Sequence, residues 1–346
     1  MVVVLHVFVY LHVRNLIPEV PELVKVGRAG VDIFFVISGF IMVWINKDTI
    51  SSIGASRDFL VKRIIRIAPI YWLYTLLMAS LVISFPHLVS EGKTVTLEHL
   101  GASLLFLPYE NNIGQIKPTL NVGWTLNFEM YFYIIFSVIL LFKKRYLLLS
   151  LSAIMLTGIV FGEFIERDTA ATFVVTSPLL LEFLMGCIIA LLYKSTLHMP
   201  TWIWALLAVL GFFGLFANSI ISFSGHYARV LNFGVPGALI VMGAVFLERN
   251  SALRVGPLFV SLGNSSYSLY LSHVFTVSAF GKIWSMLFGF GVLNEVFMVL
   301  AIITAIAVGH AGYVLVERPL TSKLNAGYRN WKESAPRRSK WHRRSF

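Results

Sequence analysis

The sequence predicts an all-α, polytopic membrane protein with about ten transmembrane helices in one bundle. Apolar residues make up 57% of the 346 residues and charged residues only 13%, about half the charged fraction of a soluble domain. The mean hydropathy is +0.78. The apolar residues also fall into long runs, and only helices or closed barrels satisfy the backbone hydrogen bonds in lipid. Together these observations exclude an ordinary soluble globular protein.

Ten apolar runs are interpreted as membrane spans. They cover residues 1–13, 30–45, 67–86, 124–142, 146–163, 174–193, 202–221, 230–247, 258–281 and 293–315. Because the first run is shorter than the ~20 residues that cross a bilayer, we expect the first helix to lack its N-terminal part. Residues 97–108 are also too few to cross and include Glu98 and His99, which predicts a re-entrant or surface segment.

The distribution of Lys and Arg predicts that both termini are cytoplasmic. Of the 28 basic residues, 20 lie in the tail and the alternate loops on the side of the termini, and cytoplasmic loops are enriched in these residues. We expect a membrane domain over 1–315. The tail, 316–346, has nine basic and two acidic residues and is predicted to be disordered against anionic lipid. Binding of nucleic acid is not expected.

No motif indicates a metal site or a nucleotide-binding fold. The sequence has a single cysteine, Cys187, which excludes an internal disulfide and a Cys-based metal cage. Spacings such as HExxH, a P-loop or a Rossmann glycine signature are absent from the sequence.

Ionisable residues inside predicted spans are costly and therefore indicate function or a buried partner. His6, in the first run, could act as a neutral general base or be a hydrogen-bonded packing residue. Asp32, in GVDIFFVISGF, could orient a histidine or be an acid at a helix N-terminus. Glu129, in NVGWTLNFEMYFY, could exchange a proton or pair with a histidine or arginine. These three are the catalytic candidates.

Further residues are candidates for substrate binding. Trp124 precedes Glu129 and could form a sugar-stacking wall or part of an aromatic belt. Tyr267, Tyr270 and His273 follow one another at intervals of three, which predicts a polar stripe on one helix face. We therefore expect Trp124, Tyr270 and His273 to face the bundle interior and to line a substrate site there.

Three cations precede the third span. Lys62, Arg63 and Arg66 in FLVKRIIRIAP lie within one helical turn, a spacing that suits a phosphate or diphosphate. The alternative is an ordinary cytoplasmic anchor for lipid head groups. Glu182, Glu317 and His310 are interpreted as helix-contact or interface residues.

The segments in order resemble the bacterial acyltransferase 3 family of integral membrane O-acyltransferases, and more narrowly its exopolysaccharide O-acetyltransferase branch. The resemblance spans nearly the whole chain. The matching segments are VVVLHVF, GVDIFFVISGFIM, RIIR, GWTLNFEMYFY, SYSLYLSH and VERPL. The second and fourth are highly specific in combination, whereas RIIR alone is a weak signal.

The resemblance implies an enzyme of the bacterial cytoplasmic membrane that moves an acyl group, usually acetyl, from cytoplasmic acyl-CoA to a sugar hydroxyl. The acceptor would be an exopolysaccharide, O-antigen or lipid-linked oligosaccharide, and polysaccharide assembly proteins are further possible partners. His6 corresponds to the family's first-span catalytic histidine, and Arg63 and Arg66 to its cytoplasmic arginine pair. The family pairs this histidine with an arginine eleven residues earlier, which would fall before Met1.

Two other classes of protein remain open from the residues alone. One is a transporter of polysaccharide or lipid-linked sugar, which would be expected to show paired halves with broken helices; the sequence shows no such repeat. The other is a non-catalytic component of a polysaccharide assembly complex.

Overall fold

The computed structural model describes residues 1–46, 52–85, 94–165, 169–217, 223–250, 254–290 and 293–334. Over these ranges the chain is helical, which confirms the all-α prediction, and the only β feature is an isolated bridge between Glu110 and Ile116. The α-helices are α1 (Val2–Val13), α2 (Glu22–Lys25), α3 (Ala29–Ile45), α4 (Ile53–Ser84), α5 (Leu97–Leu104), α6 (Trp124–Ile139), α7 (Leu147–Phe161), α8 (Ala170–Val175), α9 (Leu180–Lys194), α10 (Thr201–Ala217), α11 (Val235–Arg249), α12 (Pro257–Asn264), α13 (Ser266–Leu287), α14 (Asn294–Gly312) and α15 (Arg318–Ser334).

Six helical stretches in the described ranges are long and apolar enough to cross a membrane. They are Glu22–Ile45, Ile53–Ser84, Asn121–Ile139, Ala170–Lys194, Val230–Arg249 and Asn294–Ser334. Helices α1, α7 and α10 are apolar but shorter. Each of the ten predicted runs therefore contains a helix, and a polytopic membrane protein is indicated, while ten crossings and the side of the termini stay predictions.

Two predicted boundaries differ from the structure. The run at 258–281 is divided into α12 and α13 at Asn264 and Ser265, because Gly, Asn and Ser are weak helix formers. The disorder predicted for the tail is wrong over Arg318–Ser334, which form α15. Residues 335–346 of the tail lie outside the described ranges.

Helix α15 is held along the start of α4. The Asp58 carboxylate accepts hydrogen bonds from Tyr328, at 2.7 Å, and from Lys332. The guanidinium of Arg57 lies 5.3 Å from the ring centroid of Trp331. These polar contacts, together with one apolar face of α15, thus stabilise the helix although it carries many charges.

Helices α3 and α9 approach so closely that only glycine fits at their crossing. A Cβ on Gly39 would lie 2.0 Å from the carbonyl oxygen of Phe183, and one on Gly186 would lie 2.0 Å from that of Val36. Small residues allow this kind of backbone approach between membrane helices. The crossing fixes the relative positions of Asp32, on α3, and Glu182, on α9.

Replacing Gly39 or Gly186 with Ala is expected to separate α3 from α9 and to destabilise the fold by about 1–3 kcal/mol, as overpacking does. Thermal unfolding of the purified protein in detergent measures the effect. Gly101→Ala is the matched control, since a Cβ there meets nothing within 4 Å. An equal response of Gly39→Ala and Gly101→Ala would show that the close approach is not required.

Candidate active site

Two histidines from opposite ends of the chain meet inside the bundle. His6, on α1, and His273, on α13, place His6 Nδ1 3.3 Å from His273 Nε2, with ring centroids 4.7 Å apart and an edge-on geometry. His273 is fully buried, whereas His6 is partly buried. His6 is therefore the more accessible member of the pair.

The hydrogen bonds of His273 determine which nitrogen of His6 is free. His273 Nδ1 lies 3.2 Å from the carbonyl oxygen of Leu269 and must donate to it, because a carbonyl only accepts. In the neutral ring His273 Nε2 then accepts, so His6 Nδ1 is the donor between the rings. This leaves the lone pair of His6 Nε2 available as a base.

A polar stripe along α13 connects the histidines with α4 and α6. The Tyr267 hydroxyl donates to the carbonyl oxygen of Ile67 on α4 at 2.8 Å. The Tyr270 hydroxyl lies 3.0 Å from the hydroxyl of Thr125 on α6 and donates to the carbonyl of Val122. Since residues three apart share a helix face, the predicted stripe is present, and His273 lies at the end of it nearest α1.

Arg66, below this stripe, is held by a buried acid. Its Nη1 lies 3.0 Å from Oε1 of Glu317, and the other oxygen of Glu317 accepts from the Ser268 hydroxyl at 2.6 Å. The Glu317 side chain is fully buried, while that of Arg66 is 43% exposed. The ion pair thus joins Arg66, on α4, to the π-helical turn Tyr313–Glu317 that precedes α15, and Ser268 joins that turn to α13.

Arg63 and Lys62 differ from Arg66. The guanidinium of Arg63 lies 5.9 Å from the ring centroid of Phe59, and its buried Nε has no hydrogen-bond partner among the described residues. Lys62 is exposed, and its charge acts on Asp58, the α4 residue that binds Tyr328 and Lys332 of α15. The three cations that share a helical turn in the sequence therefore have different surroundings.

Glu129 lies buried in the interior of the bundle. Its Oε1 accepts from Ser38 at 3.1 Å and from Tyr133, and Oε2 has no partner among the described residues. The charges of Arg63 and Arg66 act on its carboxyl group. Glu129 thus lies between the arginine end and the stripe of α13, with one oxygen left to accept a further hydrogen bond.

Asp32 pairs with an arginine rather than with His6. Its two oxygens accept from Nε and Nη2 of Arg229 at 2.9 and 3.1 Å, a bidentate geometry that strengthens the pair. The Arg229 guanidinium lies 5.2 Å from the centroid of the Trp124 ring, so it covers one face of the predicted sugar-stacking wall. Beside Asp32, the fully buried Glu182 has no hydrogen-bond donor among the described residues.

Removing one partner of the Asp32–Arg229 pair is expected to destabilise the protein by about 3 kcal/mol, because a buried charge is left uncompensated. Asp32→Asn and Arg229→Met should each lower the unfolding temperature, and the double variant should recover part of the loss. Asp58→Asn, which breaks the more exposed pair with Lys332, should have less than about 1 kcal/mol of effect. Purely additive losses in the double variant would contradict a direct pair.

Sequence reasoning missed three residues of this region. Arg229 stands just before the predicted span 230–247 and resembles an ordinary flanking cation, although a buried acid such as Asp32 requires a partner. Glu182 and Glu317 were interpreted as contact residues, but each lies against a predicted site residue. Among the described residues no group of three His, Cys, Asp or Glu side chains could hold a metal.

Comparison with known proteins identifies the family of the chain. The sequence profile of the acyltransferase domain that defines the acyltransferase 3 family matches residues 1–313. The chain is 36% identical over 304 residues to the exopolysaccharide production protein ExoZ of Rhizobium meliloti (strain 1021), covering 87% of this chain and 92% of that relative. No solved structure matches the chain with significance. The protein is therefore an acyltransferase and belongs to the acyltransferase 3 family.

Proposed function

We propose that the protein transfers an acyl group, in the first instance acetyl, from acyl-CoA at the predicted cytoplasmic end to a sugar hydroxyl of an exopolysaccharide or related surface glycan. The observation that carries the proposal is helix α13. Its polar stripe ends at His273 and His6, and near its start Ser268 binds Glu317, the partner of Arg66. The similarity to an exopolysaccharide production protein supports a glycan as acceptor.

At the donor end, Arg63 is the principal ligand for the CoA phosphates. Its Nε has no partner in the described structure, whereas Arg66 is already paired with Glu317. A guanidinium binds phosphate oxygens through charge-assisted hydrogen bonds. Arg66 adds positive potential beside the phosphates without binding them directly. Lys62, which is exposed, acts on acyl-CoA only through its charge at the surface.

At the acceptor end, His6 is the general base. Its Nε2 removes the proton from the sugar hydroxyl as the hydroxyl oxygen attacks the carbonyl carbon of the thioester. The C–S bond then breaks, and the CoA thiolate takes the same proton from His6. The products are the sugar ester and CoA-SH, so atoms and charges balance without a metal ion or a further reactant.

The remaining candidates support this step. His273 holds His6 in the tautomer that presents Nε2, and is thus a positioning residue. Tyr270 and Trp124, with Arg229 on the Trp124 ring, form the wall along which the acceptor is proposed to lie. One carboxylate oxygen of Glu129 is left to accept a hydrogen bond from a hydroxyl of either substrate. Asp32 holds Arg229 in place.

Analysis of glycan from a strain lacking the protein tests the proposal. Mass spectrometry should show an exopolysaccharide of normal length and sugar composition that lacks acyl groups, and the full-length protein supplied in trans should restore them. A strain that makes no polymer would instead indicate a transporter or an assembly component. Unchanged acylation would show that the exopolysaccharide is not the acceptor.

A further inference from the structure

A small folded element joins α4 to α6 on the side of the bundle away from the arginines. We call residues 94–123 the α5 lobe. It packs on the bundle through the Trp72 indole, which donates to the carbonyl oxygen of Leu104 at 2.7 Å, and through Phe106, whose ring centroid lies 4.9 Å from that of Tyr71. The charge distribution predicts that this end of the bundle is extracytoplasmic.

The α5 lobe contains an open polar cavity of about 150 Å³. Its walls carry hydroxyl, imidazole, phenol and amide groups from Thr94, Thr96, His99, Tyr109, Asn111 and Asn112. Glu110 supplies the one carboxylate of the lining. A small cavity with many hydrogen-bond donors and acceptors, two aromatic rings and a single carboxylate suits a neutral polyol better than an ion or an apolar ligand.

The turn at Asn111 in the cavity wall is closed by its own hydrogen bonds. Asn111 Oδ1 accepts from the backbone amides of Ile113 and Gln115 at 3.1 and 3.0 Å. Gly114 takes the positive φ of 72° that closes this turn, and the Glu110–Ile116 bridge joins its ends. Among the described residues only the oxygen of Asn111 is used, so its amide NH₂ keeps two donors for a ligand.

His99 and Tyr109 form the back of the cavity. The rings are stacked, with centroids 5.3 Å apart and planes 18° apart. His99 Nε2 lies 2.9 Å from the carbonyl oxygen of Lys117 and must donate to it, which leaves Nδ1 as an acceptor. The Thr96 hydroxyl caps α5 by accepting from the His99 amide at 3.1 Å and still has a proton to donate.

The lobe is tied to the candidate active site through a continuous stretch of chain. The hydroxyl of Ser103, on α5, accepts from the Thr119 amide at 2.9 Å. Three residues later the carbonyl of Val122 accepts from the hydroxyl of Tyr270, on the stripe that ends at His273. A ligand held in the lobe is therefore positioned relative to the histidine pair, without contacting it.

We propose that the cavity of the α5 lobe is a binding subsite for a neutral sugar residue of the acceptor glycan, remote from the sugar that receives the acyl group. The inference rests on the proposed function and adds how a polymer is distinguished from a short acceptor. A long chain occupies both the lobe and the site beside His6, whereas a short fragment reaches only the latter.

Kinetics with acceptors of two lengths test the subsite. The full-length protein in lipid nanodiscs is assayed with de-O-acylated exopolysaccharide from the deletion strain and with an oligosaccharide of one repeating unit cut from it. Tyr109→Ala should raise KM for the polymer about fivefold to tenfold, as loss of an aromatic contact does, with kcat and the KM of the short fragment unchanged. Tyr109→Phe, which keeps the ring and loses only its 3.4 Å bond to Glu98, should behave as wild type.

Two further measurements keep the outcomes distinct. Thr94→Val, at an exposed position of the cavity wall, should also raise KM for the polymer selectively, so that a misfolded Tyr109→Ala does not decide the question. Polymer binding is also measured without acyl-CoA. Binding that depends on Tyr109 in a protein that transfers no acyl group would uphold the subsite and reject the proposed function. Equal losses with both acceptors, or no loss with either, would overturn the subsite alone.

Discussion

Replacing His6 with Ala is expected to lower acyl transfer about 10²- to 10⁴-fold in a protein that still folds and inserts. The loss follows from removal of an imidazole whose Nδ1 is paired with His273 and whose Nε2 keeps its lone pair, because general-base catalysis contributes a factor of this size. The measurement is the acyl content of the glycan by mass spectrometry, together with kcat of the purified enzyme.

His12→Ala is the matched control, since His12 lies on the same helix but is exposed, and it should leave kcat unchanged. His273→Ala should reduce kcat about tenfold to a hundredfold while leaving KM for acyl-CoA unchanged, because His273 orients the base and touches neither substrate. Retained transfer by His6→Ala would remove His6 from the mechanism. A change of KM alone in His273→Ala would return His273 to a substrate-binding role.

Arg63→Ala is expected to raise KM for acyl-CoA about tenfold to a hundredfold with little loss of folded protein. A hydrogen bond to a charged group contributes about 1.5–3 kcal/mol, which corresponds to this range of affinity. Arg66→Ala should instead act mainly on stability, by about 1–3 kcal/mol, because Glu317 is left buried without its cation while the exposure of Arg66 limits the loss.

The double variant Arg66→Ala/Glu317→Gln separates the two arginines further. Neutralising Glu317 removes the uncompensated charge, so the unfolding temperature should recover relative to Arg66→Ala. Lys62→Ala, at an exposed neighbouring position, should change neither KM nor stability strongly. If Arg63→Ala and Arg66→Ala raise KM for acyl-CoA equally and neither alters stability, the two arginines bind the phosphates together. The mainly structural role given to Arg66 through Glu317 would then be wrong.

The polar stripe of α13 could be predicted because it depends on spacing within one helix. Tyr267, Tyr270 and His273 recur at intervals of three, and a helix places such residues on one face. The structure adds their partners, which come from α4, α6 and α1. Burial of His6, Asp32 and Glu129 was similarly indicated by the cost of a polar group within an apolar run.

The ion pairs of Asp32 and Arg66 could not be predicted, because each joins distant parts of the chain. Asp32 and Arg229 are 197 positions apart, and nothing in one sequence relates two such residues. Charge alone also led to the wrong interpretation of the tail. Leu320, Leu324 and Tyr328 recur at intervals of four in α15, a helical period that its many basic residues concealed.

Sidedness of the reaction tests the central claim most directly. Full-length protein is inserted into proteoliposomes, acyl-CoA is supplied on one side and de-O-acylated exopolysaccharide on the other, and protease accessibility of the C-terminal tail reports the orientation. The account predicts acylated glycan only when acyl-CoA is on the side of the tail and of Arg63, and the glycan is on the opposite side. Equal transfer when both are supplied on the side of the tail would contradict it.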